Sequence, residues 1–156
     1  MARICIVPAV DAHIPPIAES MRRADRDEVW AVSRRTPHEA VANALAVSFV
    51  VWTGCIDDKP ACMAGVATYA MQSGVGSPWL LATEHIAAHQ RAFLRHSRAY
   101  IAKMLNVFPI LENYVDERNH LSIRWLQWLG FTIGEPVPWG ADRLPFRRFE
   151  MRRKNV

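Results

Sequence analysis

Residues 112–131 read ENYVDERNHLSIRWLQWLGF and predict the end of a strand, a polar turn, one helix and a helix stop. Asn119 follows the turn, where its side-chain oxygen can accept the free N–H groups of a first helical turn. Apolar residues then recur at helical spacing and form one face: Leu121, Trp125, Leu126, Trp128 and Leu129. Gly130 supplies a left-handed C-terminal stop, and Phe131 begins the next strand.

The composition is that of an ordinary globular protein. Of the 156 residues, 51% are apolar and 22% charged, which predicts a single domain over residues 1–156. The N-terminus lacks the basic flank and apolar core of a signal peptide, and the longest near-apolar run, residues 41–52, is too short to span a bilayer. Three cysteines without metal-type spacing predict reduced thiols in a cytoplasmic protein.

The net charge of +4 is unevenly placed, because basic residues crowd the C-terminal end: Arg143, Arg147, Arg148, Arg152, Arg153 and Lys154. Such a cluster can meet nucleic acid or an acidic partner surface. A solvated edge strand and tail explains it as well, because charges on an exposed edge discourage aggregation. We favour the solvated edge, and nucleic acid is the weaker alternative.

The remaining sequence predicts the order β, α, α, β, β, β, α, β, α, β, β. The predicted helices lie at residues 13–23, 37–46, 88–107 and 120–129. The predicted strands lie at residues 3–10, 49–55, 61–71, 79–83, 110–115, 131–135 and 146–152. Connections are predicted at residues 22–28, 56–60, 72–78 and 136–144. Thr36, Pro37 and Glu39 predict a capped helix start.

The helix motif at the centre of the chain is similar to that of a known superfamily. Asn119, Ser122, Leu129, Gly130 and Phe131 resemble the last conserved motif of the GCN5-related N-acetyltransferases (GNAT). The resemblance implies an α/β (α+β) fold, a mixed and mostly antiparallel central sheet with helices on both faces. It also implies that Asn119 helps to hold the pantetheine arm of acetyl-CoA.

The resemblance further implies an acetyl-CoA site between two splayed strands, residues 79–83 and 110–115. The backbone of Leu81, Ala82 and Thr83 would then contact the acyl-CoA, although the two strands can instead pair along their length. This chain departs from the family's phosphate-loop motif, because Leu94 and His96 stand where the family usually has residues without a side chain.

Charge offers a second way to hold the phosphates of acetyl-CoA. Arg91 is the candidate, with Arg95 and Arg98 on the same helical stripe, and a solvated helix face is the alternative. His85, His89 and His96 fall on one stripe if the helix starts early, but they lack a carboxylate or Cys partner. We therefore predict no metal.

The resemblance to the family is weakest at the catalytic residues. Glu84 ends the fourth predicted strand and is the candidate general base, although an exposed Glu that caps the next helix is the more common case. The family's helix Tyr, which often protonates the departing thiolate, would stand four residues before Gly130, where this chain has Leu126.

A closer likeness concerns residues 104–131 and the terminal Phe-x-x-Phe, which look like small GNAT-like proteins of tailed phages. That set includes an internal virion protein of short-tailed phages. Two hypotheses follow. The first is an acyl-CoA-dependent N-acyltransferase with a degenerate cofactor loop, acting on an unknown amine. The second is a non-catalytic phage structural or interaction protein, located in the host cytoplasm or the virion, whose partners are virion or host proteins.

Overall fold

A mixed seven-stranded sheet forms the centre of the molecule. The computed structural model describes residues 1–154, and within them the strand order is β1-β2-β3-β4-β5-β7-β6. All neighbouring strands are antiparallel except β4 and β5, which are parallel. The strands are β1 (Ile4–Pro8), β2 (Ser48–Ile56), β3 (Lys59–Ala67), β4 (Val75–Ala82), β5 (Ile110–Asp116), β6 (Thr132–Trp139) and β7 (Leu144–Arg152).

Helices cover both faces of the sheet. Within residues 1–154 they are α1 (Ile14–Glu19), α2 (Arg23–Ser33), α3 (Pro37–Val47), α4 (Gln90–Val107) and α5 (His120–Leu129). On one face, Ile17 of α1 and Val41 of α3 pack with Met63 and Leu81 of the sheet. On the other face, α4 and α5 pack over a second core that includes Phe108, Leu111, Phe131 and Phe149. The expected fold class is therefore confirmed.

The local signals at helix and strand ends are also confirmed. Thr36 and Glu39 form a reciprocal capping box on α3. Asn119 caps α5, and Gly130 ends it with a φ of 103°. Asp57 and Asp58, with φ values of 49° and 65°, form the two-residue connection between β2 and β3.

The prediction of a connection at residues 22–28 is wrong, because this segment begins α2. Among the residues of α2, only Asp25 and Ala31 are buried, so the helix shows little of the apolar stripe by which helices are recognised. Its first amide is capped from elsewhere in the chain, since Arg23 N donates to Glu84 Oε1 at 3.0 Å. The helix predicted at residues 13–23 is correspondingly shorter and ends at Glu19.

The predicted Pro/Gly loop at residues 136–144 is wrong as well. Its first four residues continue β6, which includes Pro136 and Pro138, and Leu144 already begins β7. A proline is tolerated there because β6 is an edge strand of the sheet formed by residues 1–154. The chain turns instead at Gly140, whose φ is 76°. The turn predicted at residues 72–78 is also shorter, because β4 starts at Val75.

Candidate active site between the splayed strands

The central strands β4 and β5 pair over a short distance and then separate. Their parallel register includes only Val75 with Ile110 and Gly76 with Leu111. We call the gap between residues 77–82 of β4 and residues 112–116 of β5 the wedge. A cavity of about 450 Å³ passes through the wedge and reaches both faces of the sheet. The two strands therefore splay, which leaves a volume typical of small-molecule sites.

One side chain bridges the wedge near its narrow end. Asn113 Nδ2 donates to the carbonyl oxygen of Pro78 on β4 at 2.9 Å. Asn113 Oδ1 accepts from the backbone N–H of Tyr114 on β5 at 2.8 Å. The amide therefore replaces the ladder hydrogen bonds that the separating strands no longer make to each other.

Two carboxylates of α2 close the wide end of the wedge. Asp25 Oδ2 accepts from Ala82 N of β4 at 2.9 Å, and Glu28 Oε1 accepts from Asp116 N of β5 at 3.4 Å. Residues three apart lie on the same side of a helix, so one turn of α2 reaches both strands. Arg22 N donates to the carbonyl oxygen of Ala82 at 2.8 Å and completes the attachment.

One peptide of β4 stays open toward the wedge. Thr83 N donates to Ala61 O at 2.9 Å, so Thr83 directs its backbone groups to β3. Backbone direction alternates along a strand, so Pro78, Leu80 and Ala82 face the wedge instead. The backbone groups of Pro78 and Ala82 are bonded to Asn113 and α2, whereas Leu80 has no strand opposite it, because β5 pairs only as far as Gly76.

The predicted cofactor contacts Leu81, Ala82 and Thr83 adjoin this open peptide. Leu81 pairs with Met63 of β3, and its side chain packs in the core beneath α1 and α3. The backbone of Ala82 is bonded to α2, and the hydroxyl of Thr83 donates to Ala61 O at 2.8 Å. Their role toward acyl-CoA stays a prediction. Among the wedge-facing residues of β4, Leu80 is the one whose backbone groups have no hydrogen-bond partner within residues 1–154.

Asn119 joins α2 to α5 through a buried amide that is only 3% exposed. Its Oδ1 accepts from Arg22 Nη2 at 3.2 Å and from Ser122 N at 3.4 Å. Its Nδ2 donates to Glu28 Oε2 at 2.8 Å and to Asp25 Oδ1 at 3.4 Å. The amide is thus saturated by protein groups. Contact between Asn119 and an acyl-CoA stays a prediction.

The environment of Glu28 shifts the pKa of its carboxyl toward neutral pH. Burial raises the pKa of Glu28 from an ordinary 4.5 to about 7, the carboxylates of Asp25 and Asp116 add to the rise, and the hydrogen bond from Asn119 opposes it. Burial also raises the pKa of Asp25, although Arg22 opposes this. Glu28 lines the cavity, so a carboxyl that exchanges its proton near neutral pH faces the wedge.

The predicted base Glu84 lies in a different environment. It begins a short 3-10 turn, Glu84–His89, and its side chain is exposed and outside the cavity lining. Its carboxylate caps the first amide of α2. The sequence pattern did not reveal Glu28, because its segment resembled a connection. The i, i+3 spacing of Asp25 and Glu28 was the only available signal.

The predicted phosphate ligand Arg91 lies at the start of α4 and is exposed, as is Arg95 one turn later. Within residues 1–154 neither guanidinium has an acidic partner within 4.0 Å. Arg98 instead lies over the Trp128 ring of α5 at 4.0 Å from its centroid. Arg91 and Arg95 are therefore available to an anion, and that role stays a prediction.

The position of the family's helix Tyr is apolar here. Leu126 packs against the core beneath α4 and α5 and lines the cavity. For the described part of the chain, no group of three or more His, Cys, Asp or Glu residues is arranged to hold a metal ion. The helices of residues 1–154 also include none that is long and apolar enough to cross a membrane.

Comparison with known proteins identifies the fold. No family model and no curated protein matches the sequence. Among solved structures, an N-acetyltransferase from Staphylococcus aureus Mu50 superposes with a TM-score of 0.73 at 14% identity, covering 97% of this chain and 99% of that chain. A GCN5-related N-acetyltransferase from Kribbella flavida gives a TM-score of 0.67 at 16% identity, covering 96% and 97%.

A third structure was solved with a ligand. RimL, a ribosomal L7/L12 alpha-N-protein acetyltransferase in complex with coenzyme A, gives a TM-score of 0.70 at 8% identity and covers 96% of this chain and 94% of that chain. Identities this low show the fold alone. The structural neighbours are GNAT-family acetyltransferases, and the chain has their scaffold.

Proposed function

We propose that the protein is an acyl-CoA-dependent N-acyltransferase with a degenerate phosphate loop. The observation that carries this proposal is the wedge. It presents a free peptide at Leu80 and, in the same cavity, a carboxyl of Glu28 that titrates near neutral pH. An extended ligand needs the first feature and an amine acceptor needs the second.

The α4–α5 side of the wedge suits the pantetheine arm of an acyl-CoA. Leu80 offers one N–H and one C=O to an extended amide chain, as an additional strand would use them. Arg91 and Arg95 stand on the exposed side of α4, where guanidinium groups hold phosphates by charge-assisted hydrogen bonds. Charge would thus replace the backbone cradle that Leu94 and His96 obstruct.

The chemistry assigned to Glu28 begins with a protonated amine. The ionised carboxylate removes one proton from the ammonium, and the freed lone pair forms the new C–N bond at the thioester carbonyl. The C–S bond then breaks, and the second proton lost by the nitrogen passes to the sulfur, which leaves as a thiol. The products are the amide, coenzyme A and one proton, which Glu28 releases to solvent.

Titration with acetyl-CoA, followed by calorimetry and thermal shift, tests the cofactor half of this proposal. We expect binding that weakens in Leu80→Pro, which removes the free N–H, and in the double variant of Arg91 and Arg95 to Ala. The absence of heat and of any shift at millimolar ligand would contradict the proposal.

Thiol release in the presence of a panel of amines tests the catalytic half. We expect Glu28→Gln to lose at least about 100-fold in rate, the lower range of general-base contributions. Asp27→Asn is the matched control, because it removes a carboxylate from the neighbouring, exposed position of the same helix. Equal loss in both variants, or retained activity in Glu28→Gln, would exclude Glu28 as the base.

A non-catalytic phage protein on this scaffold is the second candidate. Two observations favour it. The Asn119 amide already bonds to Asp25 and Glu28 of α2, and the wedge-facing backbone groups of Pro78 and Ala82 already bond to Asn113 and Asp25. These side chains occupy part of the space that a cofactor needs. The phage-like motif within residues 104–131 points the same way. Lack of acetyl-CoA binding, together with recovery of the protein from purified virions, would support this candidate.

A further inference from the structure

The part of the cavity on the α2–α3 face of the sheet is lined by aromatic rings and aliphatic side chains, with Ser33, Asn43 and Ser48 as polar members. Val115 packs toward α4 and α5, so the alternation of β5 directs its neighbour Tyr114 to the opposite face. There the Tyr114 ring stacks on Trp139 of β6 with centroids 3.7 Å apart. We call this region the aromatic pocket and define it by six residues of its lining: Val29, Val32, Val47, Trp79, Tyr114 and Trp139.

The walls of the aromatic pocket are held in place by the hairpin between β6 and β7. Ala141 N donates to Val32 O at 3.0 Å, and Asp142 N donates to Ala31 O at 3.2 Å. Gly140 approaches so closely that an added Cβ would lie 2.8 Å from Val32 Cα. The end of α2 is thus fixed against the strand that supplies Trp139, and the pocket is preformed.

Charge is sparse along the cavity. Among the described lining residues, the charged ones are Asp25, Glu28 and Arg35. Asp25 is 4% exposed and bonded to Arg22, Ala82 and Asn119, so it is not free to bind a ligand. Glu28 is half-buried, and each of its oxygens accepts one protein hydrogen bond, from Asp116 N and from Asn119 Nδ2, which leaves lone pairs for a cation in the cavity. The carboxylates of Asp25, on the same helix, and of Asp116, on β5, are its charged neighbours.

Arg35 limits the positive charge that a ligand in this cavity can carry. It lies two residues beyond the end of α2 at Ser33 and lines the same cavity as Glu28. A second positive charge on a ligand in this cavity would be repelled by Arg35.

We propose that the acceptor is a small monoamine with an apolar, preferably aromatic body, such as an arylalkylamine. The ammonium lies at Glu28 and the body lies among the rings and valines of the aromatic pocket. Polyamines and lysine-rich peptides are disfavoured, because they bring further positive charge to Arg35 and no apolar body. The identity of the acceptor rests on the proposed N-acyltransferase function, whereas the binding of the amine does not.

Calorimetry without acyl-CoA tests the pocket directly. The probes are 2-phenylethylamine, 2-phenylethanol, which lacks the charge, and spermidine, which lacks the apolar body. We expect 2-phenylethylamine to bind at least tenfold more tightly than either. Glu28→Gln should remove at least tenfold of the amine affinity and leave the alcohol unchanged, whereas Asp27→Asn should leave both unchanged.

Trp139→Ala tests the aromatic wall, with Trp139→Phe as the variant that preserves packing and Trp128→Ala on the opposite face as the control. We expect Trp139→Ala to weaken both aromatic probes and the two other variants to bind normally. Preference for spermidine or for a lysine peptide would overturn the inference, as would amine binding that is insensitive to Glu28→Gln.

Acetyl-CoA titration of the same samples separates the two proposals. Amine binding without acetyl-CoA binding would reject the N-acyltransferase and leave the pocket assignment standing. Acetyl transfer to spermidine in preference to 2-phenylethylamine would reject the acceptor assignment and leave the N-acyltransferase standing.

Discussion

Replacing Glu28 by Gln should make the protein more stable at alkaline pH and leave its stability unchanged in acid. The pKa of Glu28 is about 7 in the folded protein, against an ordinary value of 4.5. As the pH rises, the unfolded chain releases this proton first, so the free energy of unfolding falls between about pH 4.5 and pH 7 and is then constant. Glutamine carries no charge, and the variant escapes that loss.

The size of the effect follows from the two pKa values. One pKa unit corresponds to about 1.4 kcal/mol, so the full change is worth roughly 3 kcal/mol. Glu28 faces the cavity and is only half-buried, so we reduce the expectation to about 2–3 kcal/mol. For a chain of this length that corresponds to a Tm higher by roughly 4–12 °C. The substitution also removes the repulsion between the carboxylates of Glu28 and Asp25, which should stabilise the variant further at alkaline pH.

Thermal unfolding of both proteins between pH 4.5 and pH 8.5 measures this effect. We expect the difference in Tm to be near zero at pH 4.5, to grow through pH 7 and to level off above it. Asp27→Asn, which removes an exposed carboxylate one residue away, should show no such dependence. A difference that is constant across the range, or a Gln variant that is less stable at pH 8, would refute the assignment.

Three further predictions concern the frame of the site. Gly140→Ala should destabilise the protein by about 1–3 kcal/mol in denaturant titrations, because its φ is 76° and the new methyl would meet Val32. Gly134→Ala is the control and should be tolerated, because the nearest contact of its new methyl is at 3.4 Å. Asn113→Ala should cost about 1 kcal/mol, because the partly buried carbonyl of Pro78 loses its partner. Glu84→Gln should retain most of the acyl-transfer rate; a loss equal to that of the Glu28 variant would restore Glu84 as the base.

Much of the fold could be predicted, because local chemistry determined it. Asn119 and Gly130 bound a helix with a clear apolar face, and the Thr36 box bounds another. Helix α2 could not be predicted in this way. Its cap comes from Glu84, far away in the sequence, and its inner face is polar because it meets the backbone of the wedge.

The same cause hid the centre of the candidate site. The pKa of Glu28 depends on burial and on neighbours from three segments of the chain, and no short motif encodes that environment. The resemblance placed the two splayed strands and the helix cap at Asn119 where the structure has them, whereas the role of Asn119 toward a cofactor and that of Glu84 as the base stay predictions. Only the tertiary arrangement shows that this carboxylate faces α2 and not the wedge.

Asn119 can act in two ways, and one variant distinguishes them. If it holds the pantetheine arm, its loss weakens acetyl-CoA binding and leaves the pH profile unmoved. In the structure its amide bonds to Glu28 and lowers the pKa of that carboxyl, so its loss should raise the pKa and shift the activity profile to higher pH.

Asn119→Ser suits this test, because serine preserves the cap of α5 and lacks the amide donor. We expect the midpoint of the rate profile to move upward from about pH 7, with the Kd for acetyl-CoA within about twofold of the original. A weaker Kd with an unmoved midpoint would assign Asn119 to the cofactor. In that case the hydrogen bond from Asn119 would not tune the pKa of Glu28, and its role would be to hold α2 against α5.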